Sequence, residues 1–190
     1  MTPLSDYLPI ACTLVLYVLR VFELRARKSN IPGKIHASGT FKSMVAVGSL
    51  AVWGGVAEHF VLERGLNLWV FIPGLLCGIS AFALRGWAAI HLGKMWSVHV
   101  EIREKHELVE TGPFHYVRHP IYTAAFLEII GAVLVLDARW VAIPAIVAFI
   151  PIIRWRIRAE ETAMVAQFGN DYRSYMKRTP SLIPSPFSGK

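Results

Sequence analysis

The side chains of this chain that could do chemistry gather in two short stretches. The first is Arg118-His-Pro-Ile-Tyr122. Proline is well placed near the first turn of a helix, because the N–H it lacks has no partner there. A helix opening at Pro120 would aim its free N–H groups and positive dipole end at a carboxylate. Arg118, His119 and Tyr122 at the same spot equally suit interfacial anchors of a membrane helix. The second stretch is Arg154-Trp-Arg-Ile-Arg-Ala-Glu-Glu161. Arg156 and Glu160 are i, i+4 on a helix, and Arg158 and Glu161 are i, i+3. They could form a site with one basic and one acidic half, or a solvated helix with ordinary ion pairs. His115 and His119 are also i, i+4, which raises a metal. Pro120 interrupts that helix, no second histidine pair exists, and His36, His59 and His91 stand alone, so no metal site is expected. Glu128 lies inside an apolar run. An acid there is expensive and needs a partner such as Arg85, or a function.

The elements that must position these residues are membrane helices. The chain has 190 residues, 54% hydrophobic and only 17% charged, with 20 Lys+Arg against 13 Asp+Glu. This composition excludes a disordered chain. A soluble globule of this size could not cover runs as long as residues 65–84. The net charge of +7 points to an anionic membrane leaflet rather than nucleic acid. Cys12 and Cys77 lie in apolar runs, so neither a disulfide framework nor a zinc site is indicated. Five apolar segments are expected as one domain over residues 1–190: 7–22, 43–62, 65–84, 121–136 and 140–153. The last two read as a helical hairpin around Asp137 and Arg139. All lysines and arginines except Arg64 and Arg139 fall on one side of that arrangement. The basic side marks the cytoplasm, which puts the N-terminus outside and the C-terminus inside in a multi-pass protein; the compactness of the chain suits a prokaryotic inner membrane. The first segment has no basic n-region and no small-residue cleavage site, so it reads as a helix of the mature protein. Residues 91–119 and 154–190 then form two polar regions on the inner face, the second ending in an extended tail from Pro180. No internal repeat is visible, which counts against a transporter.

Read together, the pieces resemble a known family. Glu107-Leu-Val, Gly112-Pro-Phe, Arg118-His-Pro-Ile-Tyr122, an apolar hairpin, Arg156-x-x-x-Glu-Glu161, Phe168-Gly-x-x-Tyr172-x-x-Tyr175, Pro180 and Ile183-Pro184 occur in this order. The pattern covers residues 93–184 and is similar to the isoprenylcysteine carboxyl methyltransferase family. Membrane phospholipid methyltransferases share its C-terminal part more loosely.

The resemblance implies an all-α membrane enzyme of about five transmembrane helices. Its cofactor would be S-adenosylmethionine, leaving as S-adenosylhomocysteine, under a cytoplasmic lid built from the two polar regions. Its partner would be a lipid or small prenylated acceptor bearing a carboxylate, in contact with membrane lipids and without nucleic acid. Residue by residue, the resemblance assigns His99 a polar cofactor contact and runs His106, Glu107, Leu108 and Val109 along the cofactor. Phe114 stands where the family often has tyrosine, so packing on adenine is its implied role. Arg118, His119, Pro120, Ile121 and Tyr122 would wrap the methionine end. Glu160 would contact the cofactor, and Arg156 would hold the acceptor carboxylate. Two alternatives remain: N-methylation of a phosphatidylethanolamine-type lipid, and a membrane scaffold without enzymatic activity.

Overall fold

The computed structural model describes residues 4–26, 34–36, 38–95, 100–102 and 108–184. Among these described residues six α-helices carry the fold: α1 Leu8–Ala26, α2 Ser38–Val61, α3 Leu68–Leu92, α4 Pro120–Val135, α5 Arg139–Phe168 and α6 Asn170–Arg178. A small antiparallel ribbon pairs β1, Lys34–His36, with β2, Val100–Ile102. It ties the α1–α2 connection to the stretch between α3 and α4.

Among the described residues four helices are long and apolar enough to cross a bilayer: Leu4–Leu24, Gly39–Val61, Leu68–Leu92 and Arg139–Phe168. Large apolar side chains cover their outer surfaces, among them Phe22, Leu50, Ile90 and Ile143. Water does not tolerate such a surface, and lipid does. The protein is an integral membrane protein. Helix α4 has 16 residues, about 24 Å at 1.5 Å per residue, and is short of the ~30 Å hydrocarbon layer.

Lipid tails are as apolar as the helices, so helix pairing rests on close packing. The α3–α4 crossing shows how this chain achieves it. A Cβ on Gly74 would sit 2.6 Å from the backbone nitrogen of Val135, and one on Gly131 would sit 2.9 Å from the carbonyl oxygen of Gly74. Only glycine lets the two backbones meet there. Helices α2, α4 and α5 enclose the main core, including Ala51, Ala125, Ile129, Phe149 and Ile153.

Two expectations change. The third segment continues to Leu92 rather than ending at 84, which places Arg85 inside α3, buried, instead of in the connection that follows. Arg20, inside the first segment as expected, pairs with Glu23 at 3.0 Å. Both arginines act inside the bundle. The fifth segment does not stop at 153: α5 runs for 30 residues through Pro144 and Pro151, so the hairpin and the Arg156–Glu161 stretch are one rigid rod.

The tip of the α4–α5 hairpin is tightly tied. Glu58 of α2 accepts hydrogen bonds from the backbone N–H of Trp140 and Val141, the latter at 2.9 Å, and so caps the N-terminus of α5. Arg64 pairs with Glu58 at 3.3 Å and with Asp137 at 3.5 Å. His59 is buried between the carbonyls of Leu136, at 3.1 Å, and Asp6, at 3.0 Å. The acid at 58 and histidine at 59 are thus fixed by a helix end and by backbone oxygens.

Candidate active site

The opposite end of the hairpin gathers most of the residues singled out from the sequence. Helix α4 opens with Pro120 in its first turn and His119 as its cap. The N–H groups of Tyr122 and Thr123 close onto the His119 carbonyl. The backbone before it is held by the C-terminal segment. Arg118 N–H donates to the Pro180 carbonyl at 2.9 Å, and His119 N–H donates to that of Ser181 at 3.0 Å. Thr123 Oγ1 adds a bond to the Leu182 carbonyl at 2.7 Å. Residues 180–184, expected to be a tail, are therefore a strap that fixes the mouth of α4.

Just upstream, a 3-10 turn over Gly112–His115 buries Pro113 and Phe114. Gly112 has φ +61°, and a Cβ there would meet the His91 ring at 2.4 Å. Both facts require glycine. Tyr175 of α6 donates its hydroxyl to the Phe114 carbonyl at 2.5 Å. Burial raises the pKa values of Tyr172 and Tyr175, and nearby carboxylates reinforce it: Glu160 and Glu161 for Tyr172, Glu110 for Tyr175. Both phenols stay neutral and keep their donors.

Two chains of contacts meet at α5. In the first, Arg156 Nε donates to the Tyr122 hydroxyl at 2.8 Å, which donates to Glu160 Oε2 at 2.5 Å. Arg156 Nη1 also donates to Thr40 Oγ1 of α2 at 3.1 Å, and its guanidinium lies 5.6 Å from the Tyr122 ring centroid. In the second, Glu161 Oε1 accepts from Arg118 Nη2 at 2.6 Å and faces His119 Nε2 at 3.0 Å. The His119 and Tyr122 rings stack at 5.5 Å, and His119 Nδ1 lies 3.8 Å from Glu160.

Burial separates the roles these groups can play. Arg156 is 4% exposed, whereas the Glu160 side chain is 34% exposed. The site thus presents a partly open carboxylate beside stacked aromatic rings, with a buried guanidinium behind them. Arg118 spends its guanidinium on Glu161 and on the carbonyls of Met176 and Thr179, so it joins α4, α5 and α6. His115 is exposed and packs on Tyr116, away from the direction His119 takes toward Glu161.

Of the residues singled out from the sequence, Phe114, Arg118, His119, Pro120, Tyr122, Arg156 and Glu160 come together around these contacts. Leu108, Val109 and Ile121 are half-buried nearby in the chain. His99, His106 and Glu107 lie outside the described residues. Sequence reasoning missed Thr40 and assigned no role to Glu161, Tyr172 or Tyr175. Glu161 was read against Arg158 on its own helix, but its partners come from α4. The Tyr172-x-x-Tyr175 spacing was the available signal for α6. Thr40 gave none.

Comparison with known proteins fits this architecture. The isoprenylcysteine carboxyl methyltransferase family matches residues 74–166, from the middle of α3 to near the end of α5. A nickel-cobalt-cadmium resistance protein of Alcaligenes xylosoxydans xylosoxydans is 30% identical over 150 residues, covering 78% of this chain and 65% of that protein. Human protein-S-isoprenylcysteine O-methyltransferase is 30% identical over 119 residues, 61% of this chain and 42% of the enzyme. The Schizosaccharomyces pombe protein of the same name is 32% identical over 103 residues, 53% of this chain and 44% of that one. The chain spans about half the length of the curated relatives it matches. The resemblance to the isoprenylcysteine carboxyl methyltransferase family read from the sequence is supported by this match and by these relatives.

Proposed function

We propose that the protein is an S-adenosylmethionine-dependent carboxyl O-methyltransferase acting on an isoprenylcysteine-type or other lipid-borne carboxylate. The observation that carries this reading is the Arg156–Tyr122–Glu160 relay, in which one hydroxyl couples a buried cationic anchor to a partly open anionic cradle. The names of the human and fission-yeast relatives support the same chemistry.

The donor set suits the cofactor. S-adenosylmethionine supplies a methyl group on a sulfonium cation. A cation is stabilised by the Glu160 carboxylate and by the faces of Tyr122 and His119. Phe114, Leu108 and Val109 supply apolar surface for the base, and His99, His106 and Glu107 are the further contacts that the family pattern assigns. Pro120 and Ile121 set the backbone of this wall, and Arg118 holds it to α6.

The acceptor carboxylate is already ionised at neutral pH, so no residue needs to take a proton from it. Arg156 is the residue assigned to hold it. Its contact to the Thr40 hydroxyl is to a neutral group, and a carboxylate is the stronger partner for the same Nη1. Tyr122 keeps the guanidinium plane oriented during that exchange. Rate then comes from alignment and exclusion of water rather than from acid–base chemistry. An amine acceptor would meet a buried arginine instead, which repels its charged form.

The basic asymmetry supports a topology with five crossings, the N-terminus outside and this site on the cytoplasmic face. Reporter fusions are expected to place residue 30 and the C-terminus inside and Asp137 outside. The test of function uses the purified full chain in detergent. S-adenosylhomocysteine is expected to raise its melting temperature, and labelled methyl is expected to pass to N-acetyl-S-farnesylcysteine and not to phosphatidylethanolamine vesicles. Absence of both a thermal shift and carboxyl methylation defeats the proposal.

A further inference from the structure

Two arginines and two glutamates meet inside the bundle, away from the site described above. Arg85 of α3 donates to Glu23 of α1 at 3.2 Å and to Glu128 of α4. Arg20 of α1 lies 3.0 Å from Glu23 and 3.6 Å from Glu128. The four charges cancel. The expectation that Glu128 needs a partner such as Arg85 is met, but the cluster does more than balance charge.

Its hydrogen-bonding capacity is not used up. Arg85 is 2% exposed, and its Nε is buried without a hydrogen-bond partner among the described residues. Oγ1 of Thr13 in α1 is buried without one as well. Glu128 is 35% exposed, and its Oε1 has no hydrogen-bond partner among the described residues. Thr13, Arg20, Arg85 and Glu128 all line one cavity of about 50 Å³ between α1, α3 and α4. An unpaired buried donor or acceptor costs about 1–3 kcal/mol, so two beside one space, with a part-exposed carboxylate across from them, call for an occupant. The space admits a small group a few times the size of a water molecule. Donors and acceptors both face it, and the four-residue cluster that includes Glu23 behind the arginines is neutral. A hydroxyl meets these terms, because it accepts from Arg85 and donates to Glu128.

This cavity shares Tyr17, Arg20, Val52, Glu128 and Ala132 with a larger, mostly apolar one of about 110 Å³. Phe41, Met44, Ala125, Ile129 and Phe149 line the larger space. Phe41 follows Thr40, the partner of Arg156, and Ala125 is one turn along α4 from Tyr122. The apolar space therefore begins beside the proposed acceptor site and leads to the charge cluster. From Tyr122 to Glu128 is about 9 Å along α4.

We propose that these joined cavities are the acceptor channel, and that the Thr13–Arg85–Glu128 pocket selects a lipid carboxylate carrying a hydroxyl partway along its chain, about 9 Å from the carboxyl group. This rests on the carboxyl-methyltransferase reading and narrows its substrate class. Glu128, Arg85 and Thr13 are specificity residues. They do not touch the reacting atoms.

The test compares 8-hydroxyoctadecanoate with octadecanoate as acceptors for the full chain in detergent, with N-acetyl-S-farnesylcysteine run alongside. The parent is expected to favour the hydroxy acid by about tenfold in kcat/KM, the value of one hydrogen bond to a charged group. Without methyl donor, the hydroxy acid is expected to raise the melting temperature more than the plain acid. Thr13→Val keeps the side-chain shape, removes an unpartnered hydroxyl, and should fold at least as well as the parent. It is expected to cut the tenfold ratio several-fold, as is Glu128→Gln. A purely structural role for the cluster moves both acceptors together and leaves the ratio unchanged in both variants, which overturns the proposal. A ratio near one in the parent, with farnesylcysteine methylated, means that water alone fills the pocket. That overturns the proposal and leaves the carboxyl-methyltransferase reading standing. Failure of the parent to methylate any of the three carboxylates overturns that reading, and the channel with it.

Discussion

The two ends of the α4–α5 hairpin carry similar residue types in different arrangements. At the tip, Glu58, Arg64, Asp137 and His59 are bound to a helix terminus, to backbone carbonyls and to one another. Glu58 is buried, and its carboxylate is consumed by the N–H groups of Trp140 and Val141 and by Arg64. At the mouth, Arg156, Tyr122, Glu160, His119 and Glu161 bond side chain to side chain, and Glu160 remains a third exposed. A closed cluster holds helices together. A cluster that is rigid at its back and open at its front can also bind something.

The largest effect expected from that contrast is at Arg156. Arg156→Ala should lower methyl transfer by ~30- to 1000-fold, the loss of a charge-assisted contact to a partly desolvated carboxylate. Affinity for S-adenosylhomocysteine, measured by calorimetry, should stay within a few-fold. Lysine at 156 should restore little, because a point charge cannot donate to Tyr122 and the acceptor in one plane. Near-parental turnover in Arg156→Ala would make the mouth as purely structural as the tip.

Glu160→Ala should act on the other half of the relay. S-adenosylhomocysteine affinity is expected to fall by about tenfold, the value of one charge-assisted interaction at a part-exposed site. Calorimetry checks it directly. An unchanged affinity together with a lost Tm would place Glu160 with Glu58 as a structural acid.

The reading from sequence succeeded where a local pattern is enough. Apolar runs marked the membrane helices, and Arg118–Tyr122 with Arg156–Glu161 marked both walls of the mouth. It erred where a partner is distant. Glu161 and Arg158 satisfy the i, i+3 rule on paper, yet the part-buried Arg118 and the buried His119 offer Glu161 a better-shielded pairing. Thr40 lies 116 positions from Arg156, and a lone threonine at the head of an apolar segment carries no mark of that contact. The end of α5 was placed early because hydropathy falls at Arg154 while helicity does not. Pro144 and Pro151 do not end the helix either, since α5 runs through both.

Glu58→Ala probes the tip. It removes the cap of α5 and leaves Arg64 with a buried charge short of one partner. A loss of about 2 kcal/mol is expected, between a lost helix cap and a broken buried pair. Chemical denaturation in detergent measures it. Turnover per folded molecule should hold at the parental value, since nothing at the tip reaches the mouth. A drop in kcat without a loss of stability would erase the distinction between the ends.

The smallest effect expected is at Tyr175, which belongs to the support of the mouth rather than to its chemistry. Its hydroxyl donates to the Phe114 carbonyl and anchors α6 to the 3-10 turn. Tyr175→Phe removes the donor and keeps the ring, so about 1 kcal/mol of stability should be lost. The same bond predicts a pH dependence. Burial raises the phenol pKa in the folded protein above the ordinary value near 10. The native state then keeps a proton that the unfolded chain releases, so the stabilising contribution is complete below about pH 10 and is lost as pH rises further. Denaturation midpoints from pH 8 to 11 should be level in the first half of that range and fall in the second. In Tyr175→Phe the fall should be shallower, because one buried phenol is gone, with Tyr172 among those that account for what remains. An equally steep fall in the variant would show that Tyr175 titrates freely and that α6 is held to the mouth by its packing and by Arg118 instead.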